Sequence, residues 1–230
     1  MSDEKPAHHF RYYDLALGAF VAVLLCSNLI GAAKIADVFG ATFGAGILFF
    51  PLSYVLGDIL TEVYGYSGAR RAVWAGFAAN LFAVFMAFAV VSLPPAEDWG
   101  GQEHYAYVFG QTPRIVLASL IAFWAGEFAN AYVMAEMKLM SEGKHLWQRT
   151  IGSTVVGQGI DSLIFYPVAF LGVWSISQIL QVMMLNYVLK VVWEAILTPV
   201  TYYVIGRLKK AEGVEIFDRG TNFSPFSLKK

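Results

Sequence analysis

The sequence predicts an all-α integral membrane protein of six transmembrane helices, with both termini on the cytoplasmic side. Three observations carry that expectation. Of 230 residues, 57% are hydrophobic and only 14% charged, where soluble domains carry roughly 25% charged residues. A soluble core of this size cannot hide so much apolar surface. Six apolar runs reach the length of ~20 residues that crosses hydrocarbon. Lys and Arg gather at alternate ends of those runs, which sets the orientation.

The runs fall at 13–33, 41–64, 72–93, 113–137, 152–174 and 179–205. Lys5 and Arg11 precede the first, and Arg70 and Arg71 separate the second from the third. Lys138, Lys144 and Arg149 lie between the fourth and fifth; Arg207, Lys209, Lys210, Lys229 and Lys230 follow the sixth. Six crossings put all of these on one side. The other side has Lys34 and Arg114 against Asp37, Glu97, Asp98 and Glu103. The polar start, MSDEKPAHHFRYY, is not expected to be a cleaved leader, because the run after it is long enough to stay as a span. The expected division is a six-helix membrane domain over 1–210 and a short polar cytoplasmic tail over 211–230.

Several function classes recede. A net charge of −1 argues for no nucleic-acid partner. The single cysteine, Cys26, excludes an intrachain disulfide. His8, His9, His104 and His145 all lie outside the apolar runs, so no intramembrane His or Cys cluster can hold a metal, and no cofactor is expected. HExxH, GxSxG and the phosphate-binding GxxxxGK[ST] are absent, which weakens protease, hydrolase and ATPase readings. A homodimer stays open; Gly40 and Gly44 form a GxxxG pair of the kind that brings helices together.

An internal echo joins the second and fifth runs. LFFPLSY, 48–54, matches IFYPVAF, 164–170, in order of aliphatic, aromatic, proline and small residues. With three spans in each half, this is the layout of a 3+3 inverted repeat with interrupted helices in matching places. Aromatic-proline pairs are also common in membrane helices.

Polar side chains at membrane depth point to function. Ions at the centre of a span cost about 2.5–3.5 kcal/mol each even on the low insertion scale, so they face a shared interior. Trp124, Glu127 and Asn130 share one helix face; Gln158, Asp161 and Phe165 share another; Asn186, Lys190 and Glu194 share a third, with Tyr187 beside them. Asn28 lies in the outer half of the first run and Asn80 in the third. Amides often only tie helices together, and Lys190 with Glu194 is also the spacing of a local ion pair. Glu127, Asp161 and Lys190 together favour a binding cavity. Carboxylates, amides and aromatic faces suit a flat, nitrogen-rich small molecule. One acid carrying a coupling proton is the alternative. Nearer the cytoplasmic end, Asp58 and Glu62 sit one turn apart, ahead of Arg70 and Arg71. These four suggest a gate, a charge latch across a short turn; the arginines also serve topology.

With these residues, the chain resembles the queuosine precursor transporter family, also grouped as a vitamin uptake family. The resemblance is carried by Ser27–Asn28, by Phe50–Pro51, Asp58, Thr61 and Gly65, and by Ala69–Arg70–Arg71. Gly157 and Asp161, then Tyr187 and Lys190, extend it over most of the chain. It implies a bacterial inner-membrane protein of six helices that imports 7-cyano- or 7-aminomethyl-7-deazaguanine, or queuine, for tRNA modification. Its partners would be a deazapurine substrate and the lipid bilayer, with no catalysis. A vitamin-capturing subunit served by an ATP-driven partner and an intramembrane carboxylate enzyme are the alternatives.

Overall fold

The computed structural model describes residues 10–31, 34–38, 41–110 and 112–227. Lys5, His8, His9, Gly40, Lys229 and Lys230 lie outside them. Helix α1 (Tyr13–Gly31) leads to an antiparallel hairpin of β1 (Ile35–Val38) and β2 (Ala41–Gly44), with Ile35 opposite Gly44. A short 3-10 turn, Ala45–Leu48, opens into α2 (Phe50–Val91). Then come α3 (Gln102–Phe109), α4 (Pro113–Met140), α5 (Leu146–Phe170) and α6 (Ile176–Glu212). Pro51 and Pro113 start their helices, where the missing N–H has no intrahelical partner to lose. Ser175 and Gln178 close a capping box on α6.

Gly65 decides the shape of α2. Its φ of 74° and ψ of 173° lie in a region that only glycine occupies at low cost. The ring of Phe20 on α1 lies 3.9 Å from where a Cβ on Gly57 would sit and 3.1 Å from one on Gly76. In a straight helix those glycines would stand about 28 Å apart at ~1.5 Å per residue. The chain therefore folds back at Gly65, and 50–64 and 66–91 are neighbouring helices joined by a one-residue break.

Among the described residues, four helical stretches are long and apolar enough to cross a membrane: Tyr13–Ile30, Phe50–Val91, Gln102–Met140 and Ile176–Glu212. The chain is a multi-pass membrane protein. α5 falls short on composition because it carries Arg149, Thr150, Ser153, Thr154, Gln158, Asp161 and Ser162. The second expected span also begins late. Its first residues form β2 and the 3-10 turn, so the helix there covers only 50–64, a rise of about 22 Å.

The sequence echo does not mark matching breaks. Pro51 stands in the first turn of α2, whereas Pro167 stands near the end of α5. Helix α3 forms within the connection between the third and fourth apolar runs.

The end of α6 meets the start of α1. Glu212, the last residue of α6, accepts from the backbone N–H of Arg11 at 2.9 Å and of Tyr12 at 2.8 Å. It caps the start of α1, where a carboxylate suits the exposed N–H groups. The apolar core beside it joins Tyr13, Phe20 and Leu24 of α1 to Val55, Ile59, Leu60 and Val63 of α2 and Ile205 of α6.

Candidate functional site

Two glycines bring α4 and α5 into backbone contact. A Cβ on Gly157 would lie 2.7 Å from Asn130 Cβ and 2.9 Å from Gly126 O; a Cβ on Gly126 would lie 3.0 Å from Asp161 Cβ. Small residues allow this approach, and it sets Glu127 and Asp161 side by side. Lys190 on α6 donates to Asp161 Oδ2 at 2.6 Å. Its ammonium lies 5.9 Å from the centre of the Tyr54 ring on α2. Both partners stay partly open, at 17% and 20% side-chain exposure. The pair is thus more open than the interior carboxylates Asp58, Glu62, Glu127 and Glu194. The expected local pair between Lys190 and Glu194 is not the one formed: Lys190 turns to α5, and neither carboxylate oxygen of Glu194 has a hydrogen-bond partner.

Behind this pair lies a second group of acids. Asp58 is sealed from solvent. Its Oδ1 accepts from Asn130 Nδ2 at 2.8 Å, and its Oδ2 has no partner. The charges that face it are those of Glu194, Glu127 and Glu62, all carboxylates. Gln158 Oε1 is buried and unpaired as well. Glu127 Oε2 lies 3.1 Å from where a Cβ on Gly57 would sit, so that glycine leaves it room. The enclosed cavity between Gly57, Thr61, Glu127 and Asn130 measures about 10 Å³, space for about one water-sized group. The cavity has no room for a flat base.

Glu62, one turn beyond Asp58, has the opposite surroundings. Arg149 of α5 holds it with two bonds, Nε to Oε2 and Nη2 to Oε1, each 2.8 Å. Lys209 of α6 reaches Oε1 at 2.6 Å, and Lys138 of α4 at 3.3 Å. One carboxylate ties three other helices to α2.

The expected latch between Asp58 or Glu62 and the two arginines is not what these side chains form. Arg70 donates to the backbone carbonyls of Asn222 at 2.8 Å and Ser224 at 3.1 Å. Arg71 lies over the Tyr13 ring at 5.3 Å. Asp58 also does not sit at a rim apart from the interior cluster, since it bonds Asn130 directly. Helix depth alone could not show this, because the break at Gly65 turns α2 back on itself.

The other expected residues are scattered. Asn28 bonds Leu24 O and Asn80, tying α1 to α2. Asn186 donates to Val182 O in its own helix, and Tyr187 OH donates to Val155 O at 3.2 Å. Phe165 packs with Tyr166 and Phe170. Trp124 packs with Trp74, Phe128 and Phe226, and its Nε1 is buried without a partner. Tyr54, which faces Lys190, was not singled out in the sequence; its place in the aromatic-proline string was the available signal.

A family profile described as "Putative vitamin uptake transporter" matches residues 44–204. The chain is similar to a "Probable queuosine precursor transporter" of Bacillus subtilis (strain 168), 33% identical over 190 residues, which is 81% of this chain and 82% of that protein. It is also similar to a "Queuosine precursor transporter" of Escherichia coli (strain K12), 26% identical over 132 residues, covering 57% of this chain and 56% of that one. No solved structure matches.

Proposed function

The chain belongs to the vitamin uptake transporter family, and on that premise we propose that it imports queuosine precursors. The substrates would be 7-cyano-7-deazaguanine, 7-aminomethyl-7-deazaguanine or queuine, carried across the bacterial inner membrane for tRNA modification. The observation that carries this reading is the partly open Asp161–Lys190 pair between Tyr54 and Glu127. A deazaguanine presents N1–H and an exocyclic amine on one edge, with a carbonyl oxygen beside them. A carboxylate accepts from the first two, and an ammonium donates to the third. Glu127 or Asp161 would read the donors, Lys190 the oxygen, and Tyr54 would cover a face. Asn130 and Gln158 would complete the lining from α4 and α5.

The topology proposed with this function has six crossings: α1, 50–64, 66–91, α4, α5 and α6. The reversal at Gly65 supports it. So does the bond between Glu212 and the start of α1, because both ends of the chain then lie on one side. Arg70, Arg71, Lys138, Lys144 and Arg149 make that side cytoplasmic. Residues 1–210 would be the transporter domain, and 211–230 a tail that leaves α6 on its cytoplasmic side.

The test is uptake of radiolabelled 7-cyano-7-deazaguanine by the purified protein in liposomes, with Asp161→Asn and Lys190→Met as variants. Uptake by the protein alone also counts against a need for an ATP-driven partner. Both folded variants should lose uptake. Undiminished uptake in both would remove the site assignment.

A further inference from the structure

Residues 213–227 do not trail away from α6. They return along the second half of α2 and along α4. The segment starts at the Glu62 cluster, where Glu215 shares Lys138 at 2.9 Å and Lys209 at 2.7 Å with that buried acid. Asp218 Oδ2 then accepts from Tyr66 N at 3.0 Å, beside the break in α2. Beyond it the carbonyls of 222, 223, 224 and 225 are each met by a side chain. Arg70 Nη1 donates to Asn222 O and Ser224 O, Tyr66 OH to Phe223 O at 2.8 Å, and Trp74 Nε1 to Pro225 O at 2.8 Å. Tyr66, Arg70 and Trp74 are spaced four apart, so they form one helix face. Across from them, Tyr132 meets Phe223 at 5.3 Å between ring centres, and Trp124 meets Phe226 at 5.7 Å.

From Lys138 to Trp124 the segment covers about 21 Å of α4, counted at ~1.5 Å per residue. A backbone laid along membrane helices needs partners for its carbonyls, and three side chains supply them. The segment is only partly covered: of its residues only Asp218 is buried, and Phe226 is 68% exposed. Segments with few buried residues open before the core does. Its last ring covers Trp124, one turn from Glu127 on the same helix face.

We infer that Tyr66, Arg70 and Trp74 are a docking groove for the chain's own C-terminal segment, and that the docked segment is a removable strap. Docked, it holds α2 and α4 together beside the candidate site; release frees them to part. The inference deepens the transport reading and rests on it. It also gives Arg70 a different task from a latch to Asp58 or Glu62.

The experiment fixes the strap in place. Tyr132→Cys and Phe223→Cys are combined in a Cys26→Ser background and joined with a short, reductant-cleavable bifunctional thiol reagent. Uptake of 7-cyano-7-deazaguanine in liposomes should fall at least about tenfold on cross-linking, a barrier of the size of one decade in rate, and return after reduction. Undiminished uptake in the cross-linked protein overturns the strap alone. No uptake even after reduction overturns the transport reading, and the strap's role in it too. A separate arm follows thiol labelling of Phe223→Cys without any transport readout. Labelling should be slow, and several-fold faster with Trp74→Phe, which keeps the ring and removes one donor. Labelling as fast as that of an unstructured thiol overturns the docking itself.

Discussion

Asp58 and Glu62 sit one turn apart on the same helix, both sealed from solvent, and live in opposite surroundings. Glu62 meets Arg149, Lys138 and Lys209 within one network. Asp58 meets an amide and three more carboxylates, and one of its oxygens has no partner. A saturated ion cluster is a clasp: it locks four helices and has nothing left to offer a substrate. A group of acids with unpaired oxygens is costly to bury, and such cost is tolerated where donors from a ligand complete it. On the proposed function, the first region serves stability and the second recognition.

The largest expected effect breaks the clasp. Glu62→Gln leaves Arg149 without its counter-charge and Lys138 and Lys209 with Glu215 alone, and removing one partner of a buried pair costs about 3–5 kcal/mol. Denaturant unfolding in detergent measures this. Asp58→Asn, on the same helix, should cost far less. Equal losses would erase the contrast between the two regions.

Next comes the contact that builds the recognition region. Gly157→Ala drives a Cβ to 2.7 Å from Asn130 Cβ, and overpacking of this kind costs about 1–3 kcal/mol. It should also weaken deazaguanine binding, because it pushes Asp161 away from Glu127. A stable variant with full affinity would show that the α4–α5 approach does not set the site.

A smaller change sharpens the same point. Gly57→Ala brings a Cβ to 3.1 Å from Glu127 Oε2 and 3.9 Å from Phe20. Stability should change by about 1 kcal/mol or less, with the effect appearing in equilibrium binding. Intact binding would take Glu127 out of the site.

The smallest effect is a pH response at the strap. Burial pushes the Glu215 carboxyl up, but hydrogen bonds from Lys209 and Lys138, and their charges, outweigh it and hold the group below its ordinary value of 4.5. A depressed value means the contact stabilises docking above pH 4.5 and fades as pH falls through the lowered value. Thiol labelling at position 223 should therefore be flat near neutrality and rise only in acid. A rise beginning near pH 7 would assign the response to another group.

Local sequence carried much of this. The stripes at 124/127/130, 158/161/165 and 186/190/194 follow from helical period and lie on α4, α5 and α6, but Trp124, Phe165 and Asn186 make other contacts than the Asp161–Lys190 pair. The membrane class followed from composition. Other features depend on contacts that no period encodes. Arg149 lies 87 residues from Glu62, and Lys209 lies 147 away. A turn between 64 and 72 was legible, but not that it closes to the single residue Gly65. The strap is held by side chains bonding carbonyls, and every residue has a carbonyl, so 222–225 carry no signature. Strand β2 lay inside an apolar run that read as helix, and β1 in the connection before it.

The most direct test sets the two regions side by side by equilibrium titration with 7-cyano-7-deazaguanine and thermal unfolding of the same samples. Glu127→Gln should weaken binding by about tenfold or more, a loss of at least about 1.4 kcal/mol, with its unfolding temperature unchanged. Lys209→Met, which removes one cation from Glu62, should lower the unfolding temperature and leave the affinity alone. Full affinity in Glu127→Gln together with lost affinity in Lys209→Met would contradict the account.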